Sequence, residues 1–413
     1  MKLLIWSQYF WPENFRINEL VASLQDRGMQ ITVLTGKPNY PEGRMFKGYK
    51  ANGVLREKYL GAEVVRVPLA PRGNGSGLRL VVNYLSFIFS GFILAPFVLR
   101  RHKFDVVFVY APSPLLQALP AIFLSRLRRA PLVVWVQDLW PESLIATGFV
   151  QNRWIIKVVE ALVRHIYRRA DSILIQSEAF RDPVTCLAAE PQKVRYYPNT
   201  AELSQDKTGE GIDFKLLSQL KKYFSIVFTG NLGTAQSLET ILDAAEFLKS
   251  APEVRFYIIG TGSRSAWLAE ESDRRKLANV VLTGRLPQSQ MPSVFAASSA
   301  LLVTLGDSPA LSLTIPSKLQ AYLAAGRPVI ASLNGEGARI VRESKAGFVR
   351  PSGDAKALAA AVLKLYRLAP CERDCMGSNG RRYFEEHFEP SKRLDELIEL
   401  LQRLSQISKG NGL

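Results

Sequence analysis

Two periodicities alternate along this chain. Short apolar runs, rich in β-branched and aromatic residues, are separated by longer stretches in which apolar residues recur every three or four positions. A strand covered on both faces reads as a continuous apolar run, and helically spaced segments supply the covers. The alternation therefore predicts βαβ units on parallel sheets. The first run, "KLLIWS", passes through a polar loop into a helix marked by Ile17, Leu20, Val21 and Leu24, which Gly28 ends before "ITVLT". "VVRV", "DVVFVY", "LVVWVQ" and "SILIQS" continue the series to "VRYYPN". A polar stretch, "TAELSQDKTGEGID", interrupts it, and "FSIVFTG", "VRFYIIGTG", "VVLTG", "ALLVTL" and "PVIAS" restart the same grammar. The expected fold class is α/β, with two Rossmann-like doubly wound domains over 1–205 and 206–384 and a last helix, 385–410, free to pack back on the first. Ligands of such sheets bind beyond the carboxyl ends of the strands, so the cleft between the halves is the expected site.

Charge adds a direction to this picture. The formal charge is +16, of which residues 1–199 carry +12, and such a field favours an anionic partner: nucleic acid, a phosphate-bearing substrate or an acidic lipid surface. Leu80 to Leu99 runs twenty residues without a charge, enough to span a bilayer, between Arg79 and "RRHK". Asn83, Ser86, Ser90 and Pro96 within it, and basic flanks at both ends, favour a buried or surface-docked helix pair instead. No secretory signal is read at the start, where Pro12 and charged residues arrive before a long apolar core. Three cysteines, Cys186, Cys371 and Cys375, and three histidines, His102, His165 and His387, lack disulfide or metal-ligand spacing, so no metal and no cofactor is expected.

Candidate chemistry sits where strands end. In the second half, Gly230 to Gly233 ("GNLG"), Gly260 to Gly262 ("GTG") and Gly284 to Pro287 follow strands and offer backbone N–H groups to a phosphate. A fourth such stretch is "TIPSKLQAYLAAGRPVIAS", residues 314–332. Ser317 followed by Gln320 reads as a capping box behind Pro316, with Leu319, Tyr322 and Leu323 on the apolar face. Lys318 then falls at the first helical position, where it opposes the helix dipole unless an anion docks there. In the first half, "VWVQDLWPES" places Gln137, Asp138, Trp140 and Glu142 just after a strand. Asp138 and Glu142 are candidate acid, base or hydroxyl-binding groups, and Trp140 a surface for a sugar face; an Asp N-cap is the local alternative. Asn14, Arg16 and Lys37, in the loops after the first two strands, are candidate phosphate or acceptor contacts. Neither GxGxxG nor GxxxxGK[ST] occurs, which argues against nicotinamide dinucleotides and P-loop nucleotides, and GxSxG and HExxH are absent too.

Taken in order, "GNLGTAQSLETILDAA", "IIGTGS", "LTGRLPQSQMPSVFAASSALLV", "PSKLQAYLAAGRPVIAS", "GEGARIV" and "AGFVRPSGDAKALAAAV" resemble the donor-binding half of family 4 glycosyltransferases of GT-B architecture. The N-terminal "SQYFWPENFRINELVASLQDRGMQITVLTGKPNYPEG", with "QDLWPESL" and "YYPN", is similar to the WbuB type of bacterial O-antigen and capsule transferases, associated with N-acetyl-L-fucosamine. The resemblance implies a retaining, metal-independent hexosyltransferase. It would move an acetamido-deoxy hexose from a UDP donor to a lipid-diphosphate-linked saccharide, at the cytoplasmic face of a bacterial inner membrane as a peripheral protein. On that pattern Gly230, Asn231, Gly233 and Gln236 lie by the donor, Gly260 and Gly262 near the nucleotide, and Ser317 and Lys318 at the diphosphate.

The pattern is also broken in places. The Arg and Lys common in the family after the first C-terminal strand are here Asn231 and Gln236, so the positive charge must come from elsewhere, with Lys318, Arg285 and Arg16 the candidates. Leu313 and Ala321 stand where paired glutamates are usual, leaving Glu336 as a substitute, and Gln137 stands where a histidine is common, leaving Asp138. Two other readings stay open: a UDP-sugar 2-epimerase, whose chemistry wants cleft carboxylates, and a non-catalytic protein that binds anionic membrane or nucleic acid, without a helix-turn-helix or RNP signature.

Overall fold

The computed structural model describes residues 1–73, 76–146, 150, 152–201 and 213–410. The chain divides into two compact units, Met1–Pro198 with Ser391–Leu413, and Asn199–Pro390. The boundary expected at 205/206 lies outside the described residues.

In the first unit the strands are β1 (Lys2–Trp6), β2 (Gln30–Thr35), β3 (Leu55–Tyr59), β4 (Ala62–Arg66), β5 (Val106–Ala111), β6 (Leu132–Val136), β7 (Ser172–Ile175) and β8 (Val194–Tyr196). The helices between them are α1 (Arg16–Asp26), α2 (Gly77–Val98), α3 (Ala118–Arg128), α4 (Glu142–Ala146), α5 (Arg153–Arg169) and α6 (Arg181–Ala188). The sheet order is β3-β4-β2-β1-β5-β6-β7-β8, parallel throughout except for the β3/β4 hairpin. The polar run "LREKY" of β3 gave no strand signal. As an edge strand with alternating half-buried and exposed positions it lacks the apolar density of the buried strands. The uncharged stretch from Leu80 is one helix, α2, rather than a pair; Asn83, Phe87, Ile88, Gly91 and Ala95 form its buried stripe.

The second unit repeats the design. It contains α7 (Phe214–Lys222), β9 (Phe224–Thr229), α8 (Leu238–Phe247), β10 (Val254–Ile259), α9 (Ser265–Arg274), β11 (Val280–Gly284), α10 (Met291–Ala297) and β12 (Ala300–Thr304). Then come α11 (Pro309–Leu313), α12 (Ser317–Ala324), β13 (Val329–Ser332), α13 (Gly335–Glu343), β14 (Gly347–Arg350), α14 (Ala355–Arg367) and α15 (Pro370–His387). The order β11-β10-β9-β12-β13-β14 is parallel throughout, so the winding reverses between β9 and β12. Alternate strand residues feed two cores, as the two-residue strand period demands. Val227, Tyr257, Leu301 and Val329 pack with α12, and Phe228, Phe256, Leu302 and Ile330 pack with α8 and α14.

The last helix, α16 (Pro390–Gly410), belongs to the first unit. Leu394, Leu397 and Leu401 are buried with Leu3, Ile5 and Val106. Arg27 pairs with Asp395, and Lys409 reaches Asp105 at 2.7 Å.

Candidate functional site

Each sheet carries its candidate chemistry at the carboxyl ends of its strands, where helix N-termini and loop amides converge. In the second unit a pocket of about 440 Å³ opens beyond β9, β10 and β11, lined by Thr229, Gly230, Asn231, Ile259, Gly260, Thr261, Arg285, Leu286, Gln288 and Met291. Glycine is forced here by crowding of the two loops. A Cβ at Gly260, whose φ is +152°, would stand 1.8 Å from the carbonyl oxygen of Gly230. Gly233 and Gly262 lie behind Asn231 and shape the same loop.

Lys318 enters this neighbourhood from α12. Its ammonium lies 3.7 Å from the ring centroid of Phe228 and donates to Gln236 Oε1 at 2.5 Å. A Cβ at Gly230 would be 3.3 Å from Nζ, which puts the charge at the pocket's edge. Lys318 forms no ion pair among the described residues. With no carboxylate to compensate it, burial pushes its pKa down to about 7. The placement is held by Tyr322, one turn further along α12. Its hydroxyl accepts from the Thr229 amide at 2.9 Å and lies 3.0 Å from Thr229 Oγ1, tying the helix to the end of β9. Folding thus brings together Gly230, Asn231, Gln236, Gly260, Arg285 and Lys318.

The helix start differs from the expected capping box. Pro316 is the N-cap, with extended backbone and no side-chain cap; Ser317 is the first helical residue and exposed, and Lys318 the second. Gln320 is buried and donates from Nε2 to the Asn199 carbonyl at 2.6 Å, so it is drawn away from the cap by a partner 121 residues distant. Glu336 is buried at the start of α13, and both its oxygens accept from Arg339, at 2.6 and 2.9 Å. It does not line the pocket. Phe228, Thr261, Gln288 and Met291 were not anticipated; an aromatic one residue before the strand-ending "TG" was the available signal for Phe228.

The first unit gathers a different set. Glu13, buried in the loop after β1, accepts at Oε1 from the amides of Asn39 (2.8 Å) and Tyr40 (2.7 Å) and at Oε2 from that of Phe10 (3.3 Å). It fastens the two loops that carry the candidate contacts. Around it Tyr9 stacks on Phe15 at 4.9 Å, and the Arg72 guanidinium lies 5.0 Å from the Tyr40 ring centroid. Asn14 is exposed, and Arg16, half-buried at the start of α1, pairs with Glu19 at 2.8 Å. Lys37 is 3 % exposed; burial, and then the neighbouring Arg66, lower its pKa. Lys37 is thus held inside the unit rather than presented as a surface cation.

Asp138 follows β6, and burial pushes its carboxyl up to about 6, against the hydrogen bonds of Ser143, Trp140, Ser113 and the Leu139 amide. Glu142 opens α4 one turn later. Trp140 Nε1 donates to Ser113 Oγ at 3.1 Å and its ring is buried, which removes it as an open stacking surface. Among the described residues no three His, Cys, Asp or Glu side chains form a metal-binding group.

Residues 14–200 match the glycosyl transferase 4-like domain, and residues 223–367 match the glycosyl transferases group 1 domain. The chain is similar to the colanic acid biosynthesis glycosyl transferase WcaI of Escherichia coli K12, with 25% identity over 346 residues, covering 79% of this chain and 82% of the relative. It is likewise 25% identical to the glycosyltransferase WbjE of Pseudomonas aeruginosa, over 82% of this chain and 84% of that one. Among solved structures, HepE of Anabaena in complex with UDP superposes with a TM-score of 0.71 at 15% identity, over 98% of this chain and all of the other. Sucrose-phosphate synthase of Thermosynechococcus elongatus gives 0.74 at 15%, over 98% of each. Two doubly wound α/β units of the GT-B fold, one matched as a glycosyl transferase 4-like domain and the other as a glycosyl transferases group 1 domain, lead to one conclusion: the chain is a glycosyltransferase.

Proposed function

We propose that this chain is a retaining hexosyltransferase that uses a UDP-sugar to extend a lipid-diphosphate-linked saccharide during synthesis of a bacterial surface polysaccharide. The observation that carries the reading is Lys318: an ammonium set at the edge of a glycine-built pocket, over an aromatic face, with a neutral amide beside it and no ion-pair partner among the described residues. A diphosphate is the ligand that such a cation lacks, and the α12 N-terminus adds its dipole to the same end.

Transfer breaks the bond between the anomeric carbon and the diphosphate oxygen, forms one to an acceptor hydroxyl oxygen, and passes the hydroxyl proton to a base. Negative charge grows on the leaving diphosphate, and a cation already in place stabilises it without reorganising. Lys318 and Arg285 take that role, and the reading needs no metal. Gln236, at a position where the family commonly has a cation, instead orients Lys318, so the charge has moved from the β9 loop to α12. Asp138, with its pKa near 6, is proposed to receive or orient the acceptor hydroxyl. The resemblance of the N-terminal pattern favours an acetamido-deoxy hexose, N-acetyl-L-fucosamine or a related sugar, and the relative named for colanic acid biosynthesis favours a polysaccharide product.

The test is a thermal-shift panel of UDP, GDP and TDP sugars followed by a transfer assay. A UDP-sugar at about a hundred times its dissociation constant adds about 2.7 kcal/mol of stability. Lys318→Ala lowers kcat/KM about tenfold or more, which corresponds to about 1.4 kcal/mol or above. Activity within twofold of wild type in the folded variant removes Lys318 from the site, and stabilisation by GDP or TDP sugars alone overturns the UDP donor.

A further inference from the structure

Helix α2 has two faces with different fates. Its buried stripe is pinned to the first unit by polar contacts: Gln8 Nε2 donates to Asn83 Oδ1 at 2.8 Å, Asn83 Nδ2 to the Ala70 carbonyl at 2.6 Å, and Ser90 Oγ to the Pro68 carbonyl at 2.8 Å. A Cβ at Gly91 would stand 2.8 Å from the Trp6 ring, so helix and sheet touch directly. The opposite stripe is exposed and apolar: Val82, Leu85, Phe89 (61 %), Ile93 (60 %) and Phe97 recur at helical spacing. α3 packs beside it and continues the surface, with Phe123 and Leu127 exposed and Phe92 6.1 Å from Phe123. α5 packs against α3 and exposes Trp154 (77 %), Ile155 and Val158.

Charge selects the occupant of this surface. Across α2 with its flank to Phe104, α3 with Arg129, and α5, the sequence carries twelve Lys or Arg and one carboxylate, Glu160, which Arg164 neutralises at 2.7 Å. An apolar stripe framed by cations fits the headgroup boundary of an anionic bilayer, where rings enter the acyl region and guanidinium groups meet phosphate. A second copy of the same face would bring these cations together.

We propose that α2, α3 and α5 form a monotopic docking surface for anionic lipid, with α2 lying in the interface rather than crossing the membrane. Length and hydropathy alone would let α2 span. Spanning would strip Asn83 and Ser90 of their partners and expose the Trp6 contact, leaving buried polar groups unsatisfied. Docking also serves the chemistry. The α2 residue Tyr84 hydrogen-bonds Ser113 and Tyr9, within the loops that surround Asp138 and Glu13, so one helix touches both the docking face and the candidate acceptor groups.

The surface is tested by flotation of the full chain with phosphatidylcholine vesicles, with and without phosphatidylglycerol. Wild type binds anionic vesicles about tenfold or more tightly than neutral ones and is released by salt. Phe89→Asp with Ile93→Asp weakens binding about tenfold or more, while Arg126→Glu with Lys157→Glu reduces the salt-sensitive part. All four residues are exposed, so melting temperature and UDP-sugar thermal shift stay as in wild type, which separates this test from that of the donor reading. Failure of wild type to float, or binding unchanged in the double aspartate variant, overturns the proposal. So does resistance of membrane-bound protein to alkaline carbonate, which marks a spanning helix, or loss of a solution dimer in the double aspartate variant, which assigns the face to a second copy.

Discussion

The two units solve the same packing problem and then diverge at the same place. Both are parallel doubly wound sheets whose loops gather beyond the strand ends, yet the second unit collects glycines and an uncompensated cation there, and the first collects buried carboxyl groups and aromatics. The pKa directions mirror one another: burial drives Lys318 down to about 7 and Asp138 up to about 6, each toward its neutral form. Lys318 has no ion-pair partner among the described residues and Asp138 is already hydrogen-bonded, so under the proposed function the first is suited to receive an anion and the second to take a proton.

The comparison breaks most sharply at Asp138. Asp138→Asn keeps the hydrogen-bonding shape and cannot take a proton, and transfer is expected to fall about tenfold or more with donor affinity unchanged. In wild type the rate rises as pH climbs through about 6, and the asparagine variant loses that limb; an unchanged pH profile would remove Asp138 from proton transfer. The raised pKa also sets a sign for stability. The folded state binds more protons than the unfolded between the ordinary aspartate range and about 6, so this group's contribution falls as pH rises across that window.

Tyr322 sharpens the other side. Tyr322→Phe takes the acceptor from the Thr229 amide and frees α12 from the end of β9, at a cost of about 1–2 kcal/mol in stability. The expected readout is a several-fold rise in KM for the donor with kcat little changed, and equal loss in both would assign Tyr322 a purely structural role.

The smallest effect is the most specific. A diphosphate beside Lys318 restores its charge, so binding near neutral pH takes up a fraction of a proton, and UDP affinity falls as pH rises above about 7. Calorimetry in buffers of different ionisation enthalpy reads that uptake, which Lys318→Met abolishes. Uptake that persists in this variant would place the titrating group elsewhere. Without ligand, the unfolded state binds the extra proton between about 7 and 10.5, so this lysine's contribution to stability increases with pH in that window.

Legibility in the sequence followed the range of the interaction. The alternation of apolar runs and helical spacing marked both sheets because each run is decided within its own few residues; for the same reason "GNLG" and "GTG" marked strand ends and "PSK" a helix start, although α11 separates that start from β12. Local reasoning failed where a distant partner competed. The capping box at Ser317 was lost because Gln320 is held by the Asn199 carbonyl, and "LREKY" became a strand only because β4 offered it an edge. Lys37 read as a candidate phosphate or acceptor contact, and its burial, which no local window shows, depends on how the first loops fold over one another.

The sequence by itself determined the α/β class, the two repeats of the sheet grammar, the glycines at the strand ends and the presence of a cation at a helix start. All of these are properties of a short window, set by side-chain period and backbone freedom. Only the tertiary structure decided that Lys318 meets Gln236, 82 residues away, over the ring of Phe228, and that α16 returns to the first sheet. It also decided that α2 hides one stripe and bares the other. These outcomes depend on strand order and on which surfaces remain uncovered once the sheets have closed, and no single window of the chain contains that information.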